Sequence, residues 1–199
     1  MRRLYLVLII ILITAVLAAC KKSESYNQPT ETSTTATTAT ETSATATTST
    51  AAALNDKDKD FVTSAARGGT AEVTLAQDGV THAANADVKS FAQKLVDDHT
   101  KANQELMQFA STRGVTTAGE LEAKMKQTKE RLMKLTGKSF DQAFLKQMVD
   151  DHTSTIKMFE DESKIAADPD LKSWVNKTLP TLREHLKMAK DLQAKVGKK

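Results

Sequence analysis

The spacing of apolar residues locates the folded part of this chain. From residue 56 to the C-terminus they recur at steps of three and four, the period of helices that bury one face. The strict alternation that is typical of half-buried strands is missing from the sequence. Glycine and proline punctuate the helical pattern. We therefore predict four long helices over residues 56–82, 87–113, 139–166 and 169–196, and a short helix over residues 118–135.

Several residues suit the predicted helix ends. Asn55 or Asp56 can cap the first helix, and Ser139 can cap the third long helix. Pro169 fits the first turn of the last helix because its missing N–H would lack a partner there in any case. Pro180 lies inside that helix, which we therefore expect to kink or to split in two.

The connections between the predicted helices indicate how they pack. The first two long helices are joined by a few residues, as are the last two, so each pair should form an antiparallel hairpin. This layout predicts an all-α protein, a ferritin-like up-down four-helix bundle with a short extra helix in the crossover between the second and third long helices. A five-helix up-and-down array is the alternative. In both arrangements the second and third long helices run parallel.

The pentapeptide Val-Asp-Asp-His-Thr occurs twice, at residues 96–100 and 149–153. His99 falls on the apolar stripe of the second long helix and His152 on that of the third. Because those two helices should run parallel, we expect the two histidines at similar heights.

Four further ionisable residues belong with these histidines. Glu72 lies on the apolar stripe of the first helix, and His185 lies on or near that of the last. Asp98 and Asp151 flank the stripes, each directly before a histidine. Each long helix thus brings one ionisable group to the interior.

This set of side chains has two interpretations. In the first, imidazoles and carboxylates form a structural polar network that fixes the register of the helices. In the second, His99 and His152 are nitrogen ligands of a transition metal, Glu72 and His185 complete the ligand set, and an adjacent aspartate or a backbone carbonyl orients an imidazole. The sequence favours the structural network, since the aspartate pairs could equally cap the crossover or bind lysines.

Catalytic chemistry is not expected. A ferritin-type di-iron site needs Glu-x-x-His on two helices, but Val96, Val149 and Leu182 stand three residues before the histidines. The sequence also contains no nucleophile motif, Gly-rich phosphate loop or Cys-based metal motif. We therefore predict that the protein is not an enzyme, with no established cofactor and a transition metal as the one candidate.

The N-terminus has the features of a processing signal. Arg2 and Arg3 precede an apolar stretch over residues 4–17, and small residues lead up to Cys20. This pattern resembles the bacterial lipoprotein signal, which implies that residues 1–19 are removed and that Cys20 carries lipid. Buried acyl chains contribute roughly 0.8 kcal/mol per methylene, so several of them would hold the protein on a membrane.

The remaining composition indicates a tether and limits the partners. Residues 20–54 are rich in Thr, Ser and Ala, which predicts a disordered tether before a bundle domain over residues 55–199. Loss of Arg2 and Arg3 with the signal lowers the formal net charge from +3 to +1, so nucleic acid is not an expected partner. Lys21, after the lipidated cysteine, favours the outer membrane over the inner by analogy with enterobacterial sorting.

Several segments also match one known family. They cover residues 61–62, 68–69, 72–73, 88–92, 96–100, 137, 140–141, 148–152, 179–182 and 185–186. Together they resemble the bacterial family of ferritin-like domains of unknown function numbered 4142, which includes predicted outer-membrane proteins and envelope lipoproteins. The resemblance implies a ferritin-like bundle in the cell envelope, facing the periplasm, and it implies no activity.

Two functional hypotheses follow from the sequence. The first is a lipid-anchored envelope protein whose bundle is a non-enzymatic binding or stress-tolerance module. The second is a transition-metal-binding or storage module that uses the histidines and carboxylates of the interior. The membrane, reached through the lipid, is the one partner that the sequence indicates, and a protein or small-ligand partner is not specified.

Overall fold

A computed structural model describes residues 53–117 and 123–198. These residues form five helices and no strand: α1 (Asp56–His82), α2 (Ala86–Thr112), α3 (Ala123–Met133), α4 (Gly137–Ile165) and α5 (Pro169–Lys198). None of these helices has the length and hydropathy needed to cross a membrane. The predicted signal peptide, Cys20 and nearly all of the predicted tether lie outside the described residues.

The predicted helix ends are correct for α1 and need correction elsewhere. The Asn55 side chain caps α1 by accepting a hydrogen bond from the Asp58 N–H. The prediction that Ser139 caps the third long helix is wrong, because α4 begins at Gly137, whose φ of 59° is readily adopted by glycine. In the crossover, the described part of α3 is shorter than predicted.

Pro180 does not split α5, which is continuous from Pro169 to Lys198. Proline removes the hydrogen bond to the carbonyl four residues earlier, which here belongs to Asn176. Both Pro180 and Asn176 are exposed, so solvent can satisfy that carbonyl and the helix tolerates the loss.

The long helices pack as two antiparallel hairpins, α1–α2 and α4–α5. Between the hairpins, α1 packs on α4 and α2 packs on α5, which places α2 and α4 on a diagonal of the helical bundle. The α1–α2 turn contacts the first turn of α4, and the C-terminal end of α2 contacts the α4–α5 turn. Helices α2 and α4 therefore run parallel.

Two buried aspartates join the hairpins at opposite ends of the bundle. Asp58, in the first turn of α1, accepts hydrogen bonds from the backbone of the α4–α5 turn, at Ala167 and Asp168. Asp141, in the first turn of α4, accepts from the α1–α2 turn at Ala84 and Asn85. In each turn, backbone N–H groups thus donate to a carboxylate of the other hairpin instead of to water. These hydrogen bonds fix the relative height of the hairpins.

The interior consists of two hydrophobic clusters. One lies toward the α1–α2 turn and is built around residues such as Phe91 and Phe144. The other lies toward the α4–α5 turn and contains Phe61 and Phe159 in edge-to-face contact, with ring centroids 5.1 Å apart. The four ionisable residues of the apolar stripes lie along their helices between these clusters.

Candidate metal centre

Each of the four long helices places one ionisable side chain in the middle of the bundle. Glu72 comes from α1, His99 from α2, His152 from α4 and His185 from α5, and all four are buried. We call these four residues the histidine layer. Each lies on the apolar stripe of its helix, so the packing that buries the stripe also buries the ionisable group. Their positions between the two apolar clusters put them at one height.

The three imidazoles of the histidine layer surround a common point. Their ring centroids are 5.5 Å apart for His99 and His152, 5.2 Å for His99 and His185, and 5.3 Å for His152 and His185. One ring nitrogen from each histidine lies within 4.8 Å of the other two. The parallel course of α2 and α4 brings the two histidines of the repeated pentapeptide together, and α5 adds the third.

The protonation of two of these rings follows from their hydrogen bonds. His152 Nδ1 lies 2.9 Å from the Met148 carbonyl oxygen, which can only accept, so Nδ1 carries the proton. His185 Nε2 lies 2.8 Å from a carboxylate oxygen of Asp98 and must also donate. In the neutral rings, the remaining nitrogens, His152 Nε2 and His185 Nδ1, are therefore unprotonated. These two nitrogens face each other at 3.3 Å.

Burial keeps these imidazoles neutral. It lowers the pKa of the His152 ring to about 4, although the hydrogen bond to the Met148 carbonyl acts in the opposite direction. Burial also lowers the pKa of His185, against the effect of its hydrogen bond to Asp98, and that of His99, against the attraction of Glu72. At neutral pH no proton therefore bridges the two facing nitrogens, and their lone pairs repel.

Glu72 and His99 leave further polar atoms without a partner. Glu72 oxygens lie 3.3 Å from His99 Nε2 and 3.3 Å from His152 Nδ1, which is within ion-pair range. The angles do not allow hydrogen bonds, however, and both Glu72 Oε1 and His99 Nε2 are buried without a hydrogen-bond partner in the protein. Burial raises the pKa of the Glu72 carboxyl group, although His99 opposes the shift. Unpartnered buried polar atoms cost about 1–3 kcal/mol each, which a cation bound among them would offset.

Asp98 acts from outside the histidine layer. It is one-third exposed, and Lys94 lies 3.0 Å from the same carboxylate oxygen that accepts from His185. Burial raises its pKa, but hydrogen bonds from His185 and Lys94 outweigh burial and leave the pKa below its usual value. Asp98 is therefore a carboxylate that orients the ring of His185 on another helix and not that of His99, which it precedes in the sequence.

The Asp151 side chain, unlike that of Asp98, bonds to its own helix and not to the histidine layer. It accepts two hydrogen bonds from Gln147 on its own helix and makes no hydrogen bond to the histidines. The residue that orients His152 is instead Met148, through its backbone carbonyl. A backbone carbonyl is one of the two kinds of partner expected from the sequence, and the four-residue spacing within a helix is the signal that points to Met148.

The arrangement matches the demands of a transition metal. Zinc binds imidazole nitrogens at about 2.0–2.1 Å with tetrahedral angles, which separates two such nitrogens by about 3.3 Å. His152 Nε2 and His185 Nδ1 already have that separation. The carbonyl of Met148 and the carboxylate of Asp98 hold the far sides of these rings, which is the usual support for ligating histidines. Glu72 lies beside these rings, 3.3 Å from His99 Nε2 and from His152 Nδ1, but the group of side chains that can share one ion consists of the three histidines.

Comparisons with known proteins agree with the all-helical fold. A family model described as "Domain of unknown function (DUF4142)" matches residues 43–192. Among proteins with curated descriptions, none matches the chain.

Three solved structures are similar in fold. The structure of a DUF305 fragment from Deinococcus radiodurans superposes with a TM-score of 0.65 and 12% identity, over 72% of this chain and 99% of that one. CopM in its Cu(II)-bound form superposes with a TM-score of 0.60 and 14% identity, over 69% of this chain and 96% of that one. A DUF305 protein from Streptomyces coelicolor, which is predicted to be secreted, superposes with a TM-score of 0.61 and 14% identity, over 70% of this chain and 93% of that one.

Proposed function

This chain belongs to the DUF4142 family, whose description assigns no activity, and we propose that it is a non-enzymatic protein that binds one transition metal ion in its histidine layer. His99, His152 and His185 supply the nitrogen ligands, and Glu72 places a buried carboxyl group beside them that can balance the charge of the ion. Asp98 and the Met148 carbonyl orient two of the rings. The proposal adopts the metal-binding hypothesis in place of the structural network that the sequence favours.

One observation carries this proposal. The unprotonated nitrogens of His152 and His185 face each other at 3.3 Å, and burial lowers the pKa of both rings, which favours their neutral forms. A structural network should instead pair each acceptor with a donor. Here two acceptors meet, and His99 Nε2 has no hydrogen-bond partner in the protein. A cation between the rings would satisfy all three nitrogens. CopM, which is similar in fold, is described in a Cu(II)-bound form, and this is consistent with such a role.

The ferritin-like class and the membrane anchor are further parts of the proposal. Two hairpins joined by a crossover that contains α3 support a ferritin-like up-down four-helix bundle. Residues 1–20 resemble a lipoprotein signal, which supports an anchor at Cys20, a periplasmic position and an outer-membrane location. The prediction that the DUF305 protein of Streptomyces coelicolor is secreted agrees with a place outside the cytoplasm. A Cys20→Ser variant should move from the membrane fraction to the soluble fraction, and wild-type partitioning would contradict the anchor.

Metal binding can be tested on the whole chain purified from membranes and stripped with a chelator. We expect zinc or copper to bind at one ion per chain and to raise Tm, since an ion at one hundred times its Kd adds about 2.7 kcal/mol to the free energy of unfolding. The variants His152→Gln and Glu72→Gln should lose most of this shift.

His82→Gln is the matched control. His82 is exposed at the end of α1 and lies outside the histidine layer, so this variant should retain the full shift in Tm. Circular dichroism of each metal-free variant verifies that it folds. If the wild-type Tm is unchanged by a large excess of zinc, copper, iron or manganese, the proposed function is wrong.

A further inference from the structure

The two sides of the histidine layer differ in packing. Toward the α1–α2 turn the interior is closed: a β-carbon added at Gly79 would lie 2.8 Å from both the Ala92 side chain and the Phe144 ring. Met148 and Leu95 are fully buried on the same side. An ion has no space to reach the layer from this direction.

Toward the α4–α5 turn the structure contains a cavity of ≈ 40 Å³ beside the layer. Glu72 and His99 line its inner end and are both buried. Gly68, one helical turn before Glu72, also lines the cavity but is exposed, and a β-carbon added there would meet nothing within 4 Å. The cavity therefore leads from solvent at Gly68 to two members of the layer, and we call it the Gly68 cavity.

Apolar side chains form most of the walls of the Gly68 cavity, and a few polar groups interrupt them. Asn103, Thr155 and Thr178 provide neutral oxygen atoms along it. A β-carbon at Gly69 would overlap the Asn103 side-chain oxygen, so this glycine makes room for the amide. Among the described residues that line the cavity, none is lysine or arginine, and Glu72 supplies the acidic charge at its inner end. A volume of ≈ 40 Å³ exceeds the roughly 10–15 Å³ that one water needs.

A second approach to the layer, past Asp98, has the opposite character. The surface groove between α2 and α5 is lined by Asp98, Lys101, Glu105 and Lys177. Lys94 also holds the outer face of the Asp98 carboxylate at 3.0 Å. The two carboxylates of this groove are already paired, Asp98 with Lys94 and Glu105 with Lys177, and an ion entering here would have to break the pair between His185 and Asp98.

We propose that the Gly68 cavity is the passage through which a transition metal ion enters and leaves the histidine layer. This inference rests on the proposed function. The ion meets neutral oxygens first, then the Glu72 carboxylate and His99, and reaches the facing nitrogens of His152 and His185 last. Exchange is therefore governed in part by residues that are not ligands, and Gly68 lies at the exposed outer end of the passage.

The rate of metal uptake tests this passage. Trp174, the one tryptophan of the chain, lines the cavity, so quenching of its fluorescence by Cu(II) in a stopped-flow experiment reports arrival of the ion. We expect Gly68→Leu and the larger Gly68→Phe to load about tenfold more slowly in the whole metal-stripped chain. Release to a chelator should slow by the same factor, so Kd and stoichiometry stay within about threefold of wild type.

Two controls separate the alternatives. Gly197→Leu makes the same substitution at a glycine near the end of α5 that also has nothing within 4 Å, and it should load at the wild-type rate. Thr181→Leu obstructs the groove beside Asp98 and should also load normally. Wild-type loading of both Gly68 variants, or slow loading of Thr181→Leu, would overturn the passage. Failure of the wild-type protein to bind any metal would instead overturn the proposed function.

Discussion

His152 Nε2 and His185 Nδ1 face each other at 3.3 Å with no proton between them in the neutral rings. The far sides of the two rings determine this, because the Met148 carbonyl requires a proton on His152 Nδ1 and the Asp98 carboxylate requires one on His185 Nε2. Hydrogen bonds that normally stabilise a buried histidine here direct two lone pairs at one point. Such an arrangement is costly without a cation and favourable with one.

Opposite tautomers are therefore expected in the metal-free protein. At neutral pH, nitrogen-15 NMR of labelled histidine should show His152 as the Nδ1–H form and His185 as the Nε2–H form, both neutral. Addition of zinc should shift the unprotonated nitrogen of each ring and leave the two protonated nitrogens unchanged. A charged imidazolium on either residue at pH 7 would contradict the assignment.

Asp98 and Asp97 provide a matched pair of substitutions. Asp98 accepts from His185, whereas exposed Asp97 accepts from Gln93 on its own helix. We expect Asp98→Asn to weaken metal affinity by about 10–100-fold, because partners of this kind orient a ligand and raise its basicity. Asp97→Asn should leave the affinity unchanged. Titration calorimetry measures both, and equal effects of the two substitutions would show that surface charge, rather than orientation of His185, is responsible.

Glu162 should give the metal-free protein a distinct pH dependence. Burial, together with the nearby Asp58 carboxylate and a hydrogen bond shared with it, raises the pKa of Glu162 from 4.5 to about 7. Between these values the folded chain keeps a proton that the unfolded chain has lost. The contribution of Glu162 to stability is therefore complete below pH 4.5 and is lost as pH rises through about 7.

Glu162→Gln removes this proton and keeps a donor for Asp58. The Tm of the variant minus the Tm of wild type should increase steadily as pH rises from about 5 to about 8. Glu130→Gln, which makes the same substitution at an exposed position on α3, is the control for the loss of one carboxyl group. Parallel Tm curves for wild type and Glu162→Gln would show that Glu162 is already ionised in the folded protein.

Two glycines of α1 should respond oppositely to alanine. A β-carbon at Gly68 meets nothing within 4 Å, so Gly68→Ala should raise the free energy of unfolding by roughly 0.5–1 kcal/mol through helix propensity. At Gly79 the added carbon would lie 2.8 Å from Ala92 and Phe144, so Gly79→Ala should destabilise by about 1–3 kcal/mol. Urea unfolding measures both changes. Stabilisation by both substitutions would show that the closed side of the histidine layer can expand.

Much of the fold could be predicted because, in helices of this length, the spacing of apolar residues indicates which face is buried. The stripe of α1 correctly placed Glu72 inside, and those of the other long helices placed the three histidines there. Gly68, however, lies four residues before Glu72, a spacing that also predicts a buried position, and it is exposed. A stripe predicts which side of a helix packs, but the gaps left between helices depend on the side chains of the neighbours.

The partners of the candidate site were harder to predict. Asp98 and Asp151 occupy the same place in the repeated pentapeptide, yet Asp98 bonds His185 of a neighbouring helix and Asp151 bonds Gln147 of its own. The two copies lie on helices with different neighbours: α2 packs on α5, which brings His185 to Asp98. Identical local sequence therefore cannot specify identical contacts.

The sequence by itself determined that the chain is helical, which face of each long helix is buried, and that one ionisable residue per helix shares that face. It could do so because these properties depend on the spacing of residues along a single helix. Only the tertiary structure decided the rest. It brought His185 to His152 at 3.3 Å, assigned the protons through Met148 and Asp98, and left a cavity on one side of the layer. The physical reason is that helical periodicity fixes the direction of a side chain, whereas distances between side chains depend on how the helices pack.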